Sequence, residues 1–428
     1  METIFVILIG AMAAVLANLN IAVFNDGLRP IVGEHVDGNI KRRELGLTAF
    51  AMGFGLVIGF GIPFTLSASI ILVHSILLGT DIIGLIVPKN KWGTPAAAIV
   101  GGLYGWGLQA GLEGVVKVFE ALPVNVMDSM EEIGDPVILA FMAFPALAVA
   151  FQFSVKKGIW TFAAAAVIRQ LTMFINDHEF LTIGGNPIEI NQEGVALIVG
   201  MIFLLVFAVR VKADESSVDL AAMFSDRVKK IRGNVIYLVI IGALIAGAAN
   251  LMMMAGDPIS LQLLADDGKL DAGIAAAARA IGFIPLVAST AIATGVYSPV
   301  GFTLIFVVGF FVPNVWLAVI IGGIVIFLEV MLLSTIARFL DKYPGIRNSG
   351  ENIRNAMTRL LEVALLIGGA NASDSMAPGF GFFFIAGVYL LNEAAGRPIV
   401  RMAVGPVGAI AVGIIANVLV ALGIMAAP

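Results

Sequence analysis

Apolar stretches of membrane-spanning length recur from one end of the chain to the other, separated by short polar segments. A helix needs about 17–25 largely apolar residues to cross a bilayer. Fourteen segments meet or approach this, at about 3–24, 46–63, 65–87, 94–116, 136–154, 158–175, 194–211, 234–254, 274–297, 299–313, 315–337, 359–371, 379–394 and 402–425. The predicted class is therefore an all-α polytopic membrane protein. Segments 299–313 and 359–371 are short and are expected to be half-helices or re-entrant pieces, which persist at membrane depth only where protein or a water-filled cavity satisfies their backbone. The first stretch has no basic residue before it, so a retained helix is expected rather than a signal peptide. Basic residues test the count, because they concentrate on the cytoplasmic side. With the N-terminus outside and strict alternation, 21 of the 25 lysines and arginines fall in inside loops, notably 25–45, 212–233 and 338–358. Only Lys117 and Lys269 fall outside, and Arg169 and Arg279 lie within spans, near outer ends where snorkelling is expected. Both termini are predicted outside.

Fourteen divides into seven and seven, and strings recur in order. Ala17-Asn18-Leu19 returns as Ala249-Asn250-Leu251, AMGF at 51–54 as AIGF at 280–283, Val87-Pro88 as Val312-Pro313, and AAIVGG at 97–102 as AVIIGG at 318–323. An odd number of spans per repeat turns the halves upside down relative to each other, the arrangement of many secondary transporters. The expected organisation is a first inverted repeat at 1–213, a cytoplasmic linker at 214–233 and a second repeat at 234–428.

Composition narrows the chemistry. The chain is 59% hydrophobic with mean hydropathy +1.00 and only 13% charged residues, too little charge to cover a soluble surface. It has 48 glycines, as close packing of membrane helices requires. There is no cysteine, which excludes disulfides, thiolate metal sites and cysteine nucleophiles. His35, His74 and His178 form no metal-ligand spacing. No phosphate-binding loop, dinucleotide fingerprint or catalytic triad signature is present, and no basic patch with interleaved aromatics points to nucleic acid. The expectation is a non-enzyme with no cofactor beyond a coupling Na⁺ or H⁺.

AVFNDGLRPI (22–31), KRRELG (41–46), IGFIPLVASTAIATGVYSPVGFT (281–303), YPGIRNSGENIRNAM (343–357) and YLLNEAAGRPIV (389–400) resemble the bacterial YhfT family over essentially the whole chain. The resemblance implies an inner-membrane transporter of unestablished substrate. Members are similar to one encoded beside genes for amino-acid-type PLP enzymes and a phosphotriesterase-homology protein. That company implies an amino-acid-like or phosphorylated anionic solute. The family brings no assigned site residues.

Candidate site residues come from the polar positions inside spans. Pro63 is expected to break the helix at 53–69, with Thr65, Ser67 and Ser69 following at alternate positions; 283–301 carries Pro285, Ser289, Thr290, Thr294, Tyr297, Ser298 and Pro299. Brought together by pseudo-symmetry, such broken segments coordinate a solute or Na⁺; equally, each hydroxyl can satisfy its own helix. Asp81, beside Thr80, falls about 9 Å inside the interface, too deep for an aspartate to snorkel. It is expected to line a cavity with 63–69 and 285–298 and to exchange the coupling ion, or else to cap a half-helix. Glu329 is a second intramembrane carboxylate, read as a proton or cation carrier or as half of a structural pair. Glu362 near Arg359 is expected to be a solvated pair. Asn25, Asp26 and Arg29 after the first span, and Asn392, Glu393 and Arg397 after the thirteenth, are candidates for an inner gate or for plain caps and turns. Residues 346–357 read as an interfacial amphipathic helix. The expected function is secondary active transport of a small anionic or amino-acid-like solute, coupled to H⁺ or Na⁺ by alternating access of elevator or rocking type. The protein is expected to be a homodimer in the bacterial inner membrane. A channel or facilitator, and the membrane subunit of a larger complex, are the alternatives.

Overall fold

The computed structural model describes residues 2–180, 182–183, 186–187, 190–211, 225–265 and 268–427. These residues are almost entirely helical. The first half runs α1 (Glu2–Asn18), α2 (Leu28–Val36), α3 (Arg42–Leu56), a π-helical turn (Val57–Gly61), α4 (Ile62–Ala68), β1 (Ile71–Leu72), α5 (Val73–Ile86), α6 (Gly93–Glu120), α7 (Val126–Glu131), α8 (Gly134–Gln152), α9 (Val155–Asp177), the short pair β2 (Thr182–Ile183) and β3 (Asn186–Pro187), and α10 (Gln192–Val209). The second half runs α11 (Ser225–Gly233), α12 (Val235–Asn250), β4 (Met254–Ala255), α13 (Pro258–Ala265), α14 (Lys269–Thr294), α15 (Leu304–Phe311), α16 (Val315–Lys342), α17 (Pro344–Met376), α18 (Phe380–Ala394) and α19 (Arg401–Ala421). Of the expected linker, 225–233 forms α11, and 214–224 lies outside the described residues.

Among the described residues, four helices are long and apolar enough to cross a membrane by themselves (Val155–Asp177, Gln192–Val209, Val315–Leu340 and Arg401–Ala421), and seven if three bent pairs each count as one span. All four tryptophans, Trp92, Trp106, Trp160 and Trp316, are at least half exposed, among dozens of exposed large apolar side chains. A water-soluble globule does not present such a surface, and a bilayer is its natural solvent. The chain is a helical membrane protein.

Several expected boundaries move. The first span stops at Asn18 rather than at 24, because Asn20 turns left-handed (φ 59°) and the chain then runs extended. The helix from 42 is not broken at Pro63: α3, the π-helical turn and α4 follow one another without a non-helical residue between them, and the turn stands directly before α4, which carries the proline in its first turn. It ends instead at Ser69, in the left-handed conformation (φ 52°). Segment 359–371 is not a separate short helix; with 346–357 it belongs to the 33-residue α17. Segment 299–313 does shorten to a half-helix, α15, behind an unwound stretch at 296–303.

Contacts recur between the two halves of the chain. Asn18 Nδ2 donates to the carbonyls of Gly84 and Val87 at 3.1 and 2.8 Å, and Asn250 Nδ2 to those of Gly309 and Val312 at 2.9 and 2.6 Å. A Cβ on Gly84 would meet Ala14 O, Ala17 Cβ and Asn18 N; one on Gly309 would meet Ala246 O, Ala249 Cβ and Asn250 N. Arg42 Nη2 reaches Asn18 O, and Lys269 Nζ reaches Asn250 O. The extended breaks pair crosswise: Ala22 bridges Tyr297, and β4 pairs with β1 through Met254 and Ile71. Tyr297 N donates to Ile21 O, as Ile71 N does to Met253 O. From Arg42 to Ser69 and from Lys269 to Gly295, both closing residues left-handed, the chains differ by one residue. The π-turn at 57–61, present only in the first half, has the geometry that absorbs one extra residue. The AMGF and AIGF strings, 229 apart, therefore sit two residues out of the 227 spacing that Arg42 and Lys269 define.

Candidate functional site

Four interruptions of helix meet near the centre of the molecule: the turn after α1, the π-turn, the break before α13 and the unwound 296–303. Between them lies a cavity of about 160 Å³. Its polar lining comprises Asn25, Asp26, Arg29, His74, Asp257, Arg279, Ser298, Thr303 and Arg354, with Phe24, Phe60 and Phe283 among its apolar walls. Each polar group is there for a local reason. Asn25 and Asp26 follow the left-handed turn at Asn20. Asp257 caps α13, accepting from Ser260 N at 2.9 Å and Ser260 Oγ at 2.8 Å. Arg279 lies on α14 with its Nη1 3.6 Å from Asp257 and its guanidinium 4.2 Å from the Phe283 ring centre. Ser298 and Thr303 belong to the unwound segment, where hydroxyls have no helix carbonyl one turn back to bond. His74, in the first turn of α5, meets Phe24 and Phe60 edge-on, each with ring centres 4.9 Å apart.

The cavity is under-satisfied. Asn25 Nδ2, His74 Nδ1, Arg279 Nε, Ser298 Oγ and Thr303 Oγ1 are buried and have no hydrogen-bond partner among the described residues. Buried polar groups are normally paired, so five unpaired atoms on residues lining one cavity single it out as the candidate site. Three guanidiniums (Arg29, Arg279, Arg354) face two carboxylates (Asp26, Asp257), and the unpaired atoms are donors or groups able to donate. The site suits a small solute rich in acceptor oxygens.

A second cavity of about 520 Å³ opens beside it, lined by Glu34, Asp37, Arg227, Ser289, Thr290, Thr294, Arg347, Glu351 and Arg354. Arg354 and Leu286 border both cavities. Arg29 stands between them: Nε donates to Val23 O at 3.2 Å, Nη2 to Phe24 O at 3.3 Å and Nη1 to Thr290 Oγ1 at 2.7 Å. The guanidinium thus fastens the turn after α1 to α14 across the way from one cavity to the other.

The expected residues divide. Ser298 lines the inner cavity, with Asp26 and Arg29, while Ser289, Thr290 and Thr294 line the outer one, each also bonded to a carbonyl of its own helix. Thr65 and Thr80 do not reach either cavity. Thr65 Oγ1 donates to Gly61 O at 2.8 Å and accepts from Leu72 N at 3.0 Å, and Thr80 Oγ1 donates to Leu77 O at 3.0 Å. Ser69 is an exposed helix end, and the side chain of Ser67 lies outside the described residues. Asp81 does not line the cavity either. Its Oδ1 accepts from Phe24 N at 3.1 Å and its Oδ2 from Asn25 N at 2.8 Å, so it holds the cavity wall from behind. Tyr297, fully buried, donates its hydroxyl to Glu329 Oε2 at 3.0 Å. Among the described residues, no hydrogen bond or ion pair links Asn392, Glu393 and Arg397 to Asp26 and Arg29. Asn392 closes a local turn on Ile399, and Glu393 pairs with Arg397 at 3.0 Å and Arg401 at 2.8 Å. Glu362 pairs with Arg359 at 3.3 Å and also approaches Arg401 at 3.7 Å.

Arg279 is the main correction. Expected to snorkel, it is buried at 5% exposure, because α13 folds in beside it and brings Asp257 as a partner. Asp257, His74 and Thr303 are not among the expected site residues, while Arg354 comes from the polar segment 346–357. One signal was available: the spacing of 232 between Asn18 and Asn250 carries Asn25 onto Asp257.

The YhfT family, described as a protein of unknown function, matches residues 2–425. The chain belongs to the YhfT family. It is 36% identical over 440 residues to the uncharacterized protein YhfT of Escherichia coli (strain K12), covering 99% of this chain and 98% of that one. No solved structure matches. The family match spans both cavities and the breaks that frame them.

Proposed function

We propose that the chain is a secondary active transporter of a small anionic or amino-acid-like solute, which binds in the 160 Å³ cavity. The observation that carries this reading is the set of five unpaired buried polar atoms around a cavity framed by helix breaks from both halves. Broken helices at mid-depth are the usual binding elements of carriers. The recurring contacts of α1, α5 and α6 with those of α12, α15 and α16 support two repeats, at 1–213 and 234–428. With seven membrane segments each, the repeats are inverted, and alternation between two packings of similar energy follows. The basic loops support a cytoplasmic position for 25–45, 212–233 and 338–358 in a bacterial inner membrane, which makes the 520 Å³ cavity a vestibule on the cytoplasmic side. In this state the vestibule is present and Arg29 bars the way to the inner cavity.

A thermal-shift screen of small carboxylates, amino acids and phosphonates on purified protein identifies the ligand class, and uptake of the hits into proteoliposomes tests transport. Accumulation against a gradient that collapses with the ion gradient is the expected result. Uptake that only equilibrates makes the protein a facilitator. Stabilisation by none of these compounds, together with no uptake, removes the proposal.

A further inference from the structure

The two buried carboxylates of the core are bonded in different ways. Asp81 accepts one backbone N–H on each oxygen, the pattern of a carboxylate serving as a cap. On Glu329, 4% exposed, Oε2 receives both donors, Phe302 N at 2.9 Å and Tyr297 Oη at 3.0 Å. Its Oε1 is buried without any partner among the described residues. Two donors on one oxygen and none on the other is the pattern of a neutral carboxylic acid, Oε2 serving as its carbonyl oxygen and Oε1 as its hydroxyl. An unpaired neutral hydroxyl in a core costs far less than an unpaired charge. None of the ion pairs among the described residues includes Glu329. Among the titratable and charged groups on neighbouring elements, Tyr297 bonds Glu329 directly, Arg29 acts electrostatically on Tyr297, and Arg232 on α11 donates Nη2 to Met331 O while its Nε is unpaired among the described residues.

The unwound segment is wrapped around this carboxyl. Gly301 is left-handed at φ +53°, and a Cβ there would collide with Glu329 Oε2. The residues that hold Glu329, Tyr297 and Phe302, are next in sequence to Ser298 and Thr303, which line the cavity and whose hydroxyls are unpaired among the described residues. We propose that Glu329 is the proton-binding site of this protein, and that gain or loss of its proton re-sets the 297–303 segment and with it the two hydroxyls of the solute cavity. Resting on the transport reading above, this names H⁺ as the coupling ion and moves that role from Asp81 to Glu329. The O–H bond of Oε1 breaks, the proton leaves to solvent, and the carboxylate formed draws a donor to Oε1, which rearrangement of the segment supplies.

The test uses the natural absence of cysteine. Ser298→Cys is introduced into the full chain in bilayers, and alkylation of the new thiol by a membrane-permeant maleimide is followed against pH. Rates are normalised to a separate variant, Asn355→Cys, at an exposed position. Infrared difference spectra on the same samples follow the carboxylic-acid C=O band. The expected result is a buried acid band at neutral pH that disappears on alkalinisation, together with a change in thiol reactivity at position 298 over the same interval, approaching about tenfold per pH unit. Both signals are lost in Glu329→Gln and kept, at a shifted pH, in Glu329→Asp. A band that persists in Glu329→Gln and vanishes in Asp81→Asn overturns the assignment. So does normalised reactivity that is flat with pH in the parent. Neither readout requires transport, so failure of the uptake experiment and failure of this proposal are separately visible. If uptake is found, pH-gradient dependence that survives Glu329→Gln overturns the coupling role alone.

Discussion

Arg279 and Asp257 show what a buried charge demands. Their side chains are 6% and 3% exposed, and removal of one partner strands the other in a low-dielectric site, a loss of about 3–5 kcal/mol. Arg279→Met is therefore expected to lower thermal stability in detergent strongly, and the double variant Arg279→Met with Asp257→Asn to recover most of it. Equal stability of the single and double variants would show that the pair does not interact. Asp81 calls for a different outcome. Asn in its place keeps one acceptor and loses the second, so Asp81→Asn is expected to cost about 1–3 kcal/mol, while the pH dependence of thiol reactivity in the Ser298→Cys background stays in place. Neither outcome follows from residue type. An aspartate and a glutamate at mid-span look alike in sequence, and only their hydrogen-bond partners separate a cap from a group with an oxygen to spare.

At the scale of elements, close approach of helices decides which glycines matter. On Gly84 a Cβ would collide with Ala14 O, and on Gly309 it would lie 2.9 Å from Ala246 O, whereas on Gly111 it would meet nothing within 4 Å. Gly84→Ala and Gly309→Ala should each destabilise by about 1–3 kcal/mol, the usual cost of overpacking, with Gly84 the more sensitive. Gly111→Ala should be neutral. Melting curves of the three variants read this directly, and indifference of both Gly84 and Gly309 would mean that α1 and α12 are not seated on α5 and α15 as described. Helix existence was legible here from apolar run length, but helix ends were not. Pro63 looked like a break and is not one, since the π-helical turn just before it carries the helix past the missing donor. Ser69 looked like a ligand and is the actual end. The join between 346–357 and 359–371 was hidden because a polar vestibule face and an apolar core face alternate along a single long helix.

For the whole molecule, the proposed arrangement predicts sidedness. A reporter fused at residue 222, which lies outside the described residues, should be cytoplasmic, and reporters at either terminus should be external. A cytoplasmic terminus beside a cytoplasmic residue 222 would break the seven-plus-seven division while leaving the cavity where it is. Sequence by itself determined the membrane class, because the apolar excess cannot be hidden in a globule of this size. It also determined the order of the repeated strings and the hydroxyl-rich character of 283–301. Only the tertiary structure decided which polar residues meet. The cavity is assembled from positions 25, 74, 257, 279, 298 and 354, brought together by the crosswise pairing of extended breaks. That pairing rests on backbone hydrogen bonds, which any residue but proline can supply, and so it leaves no mark on residue type.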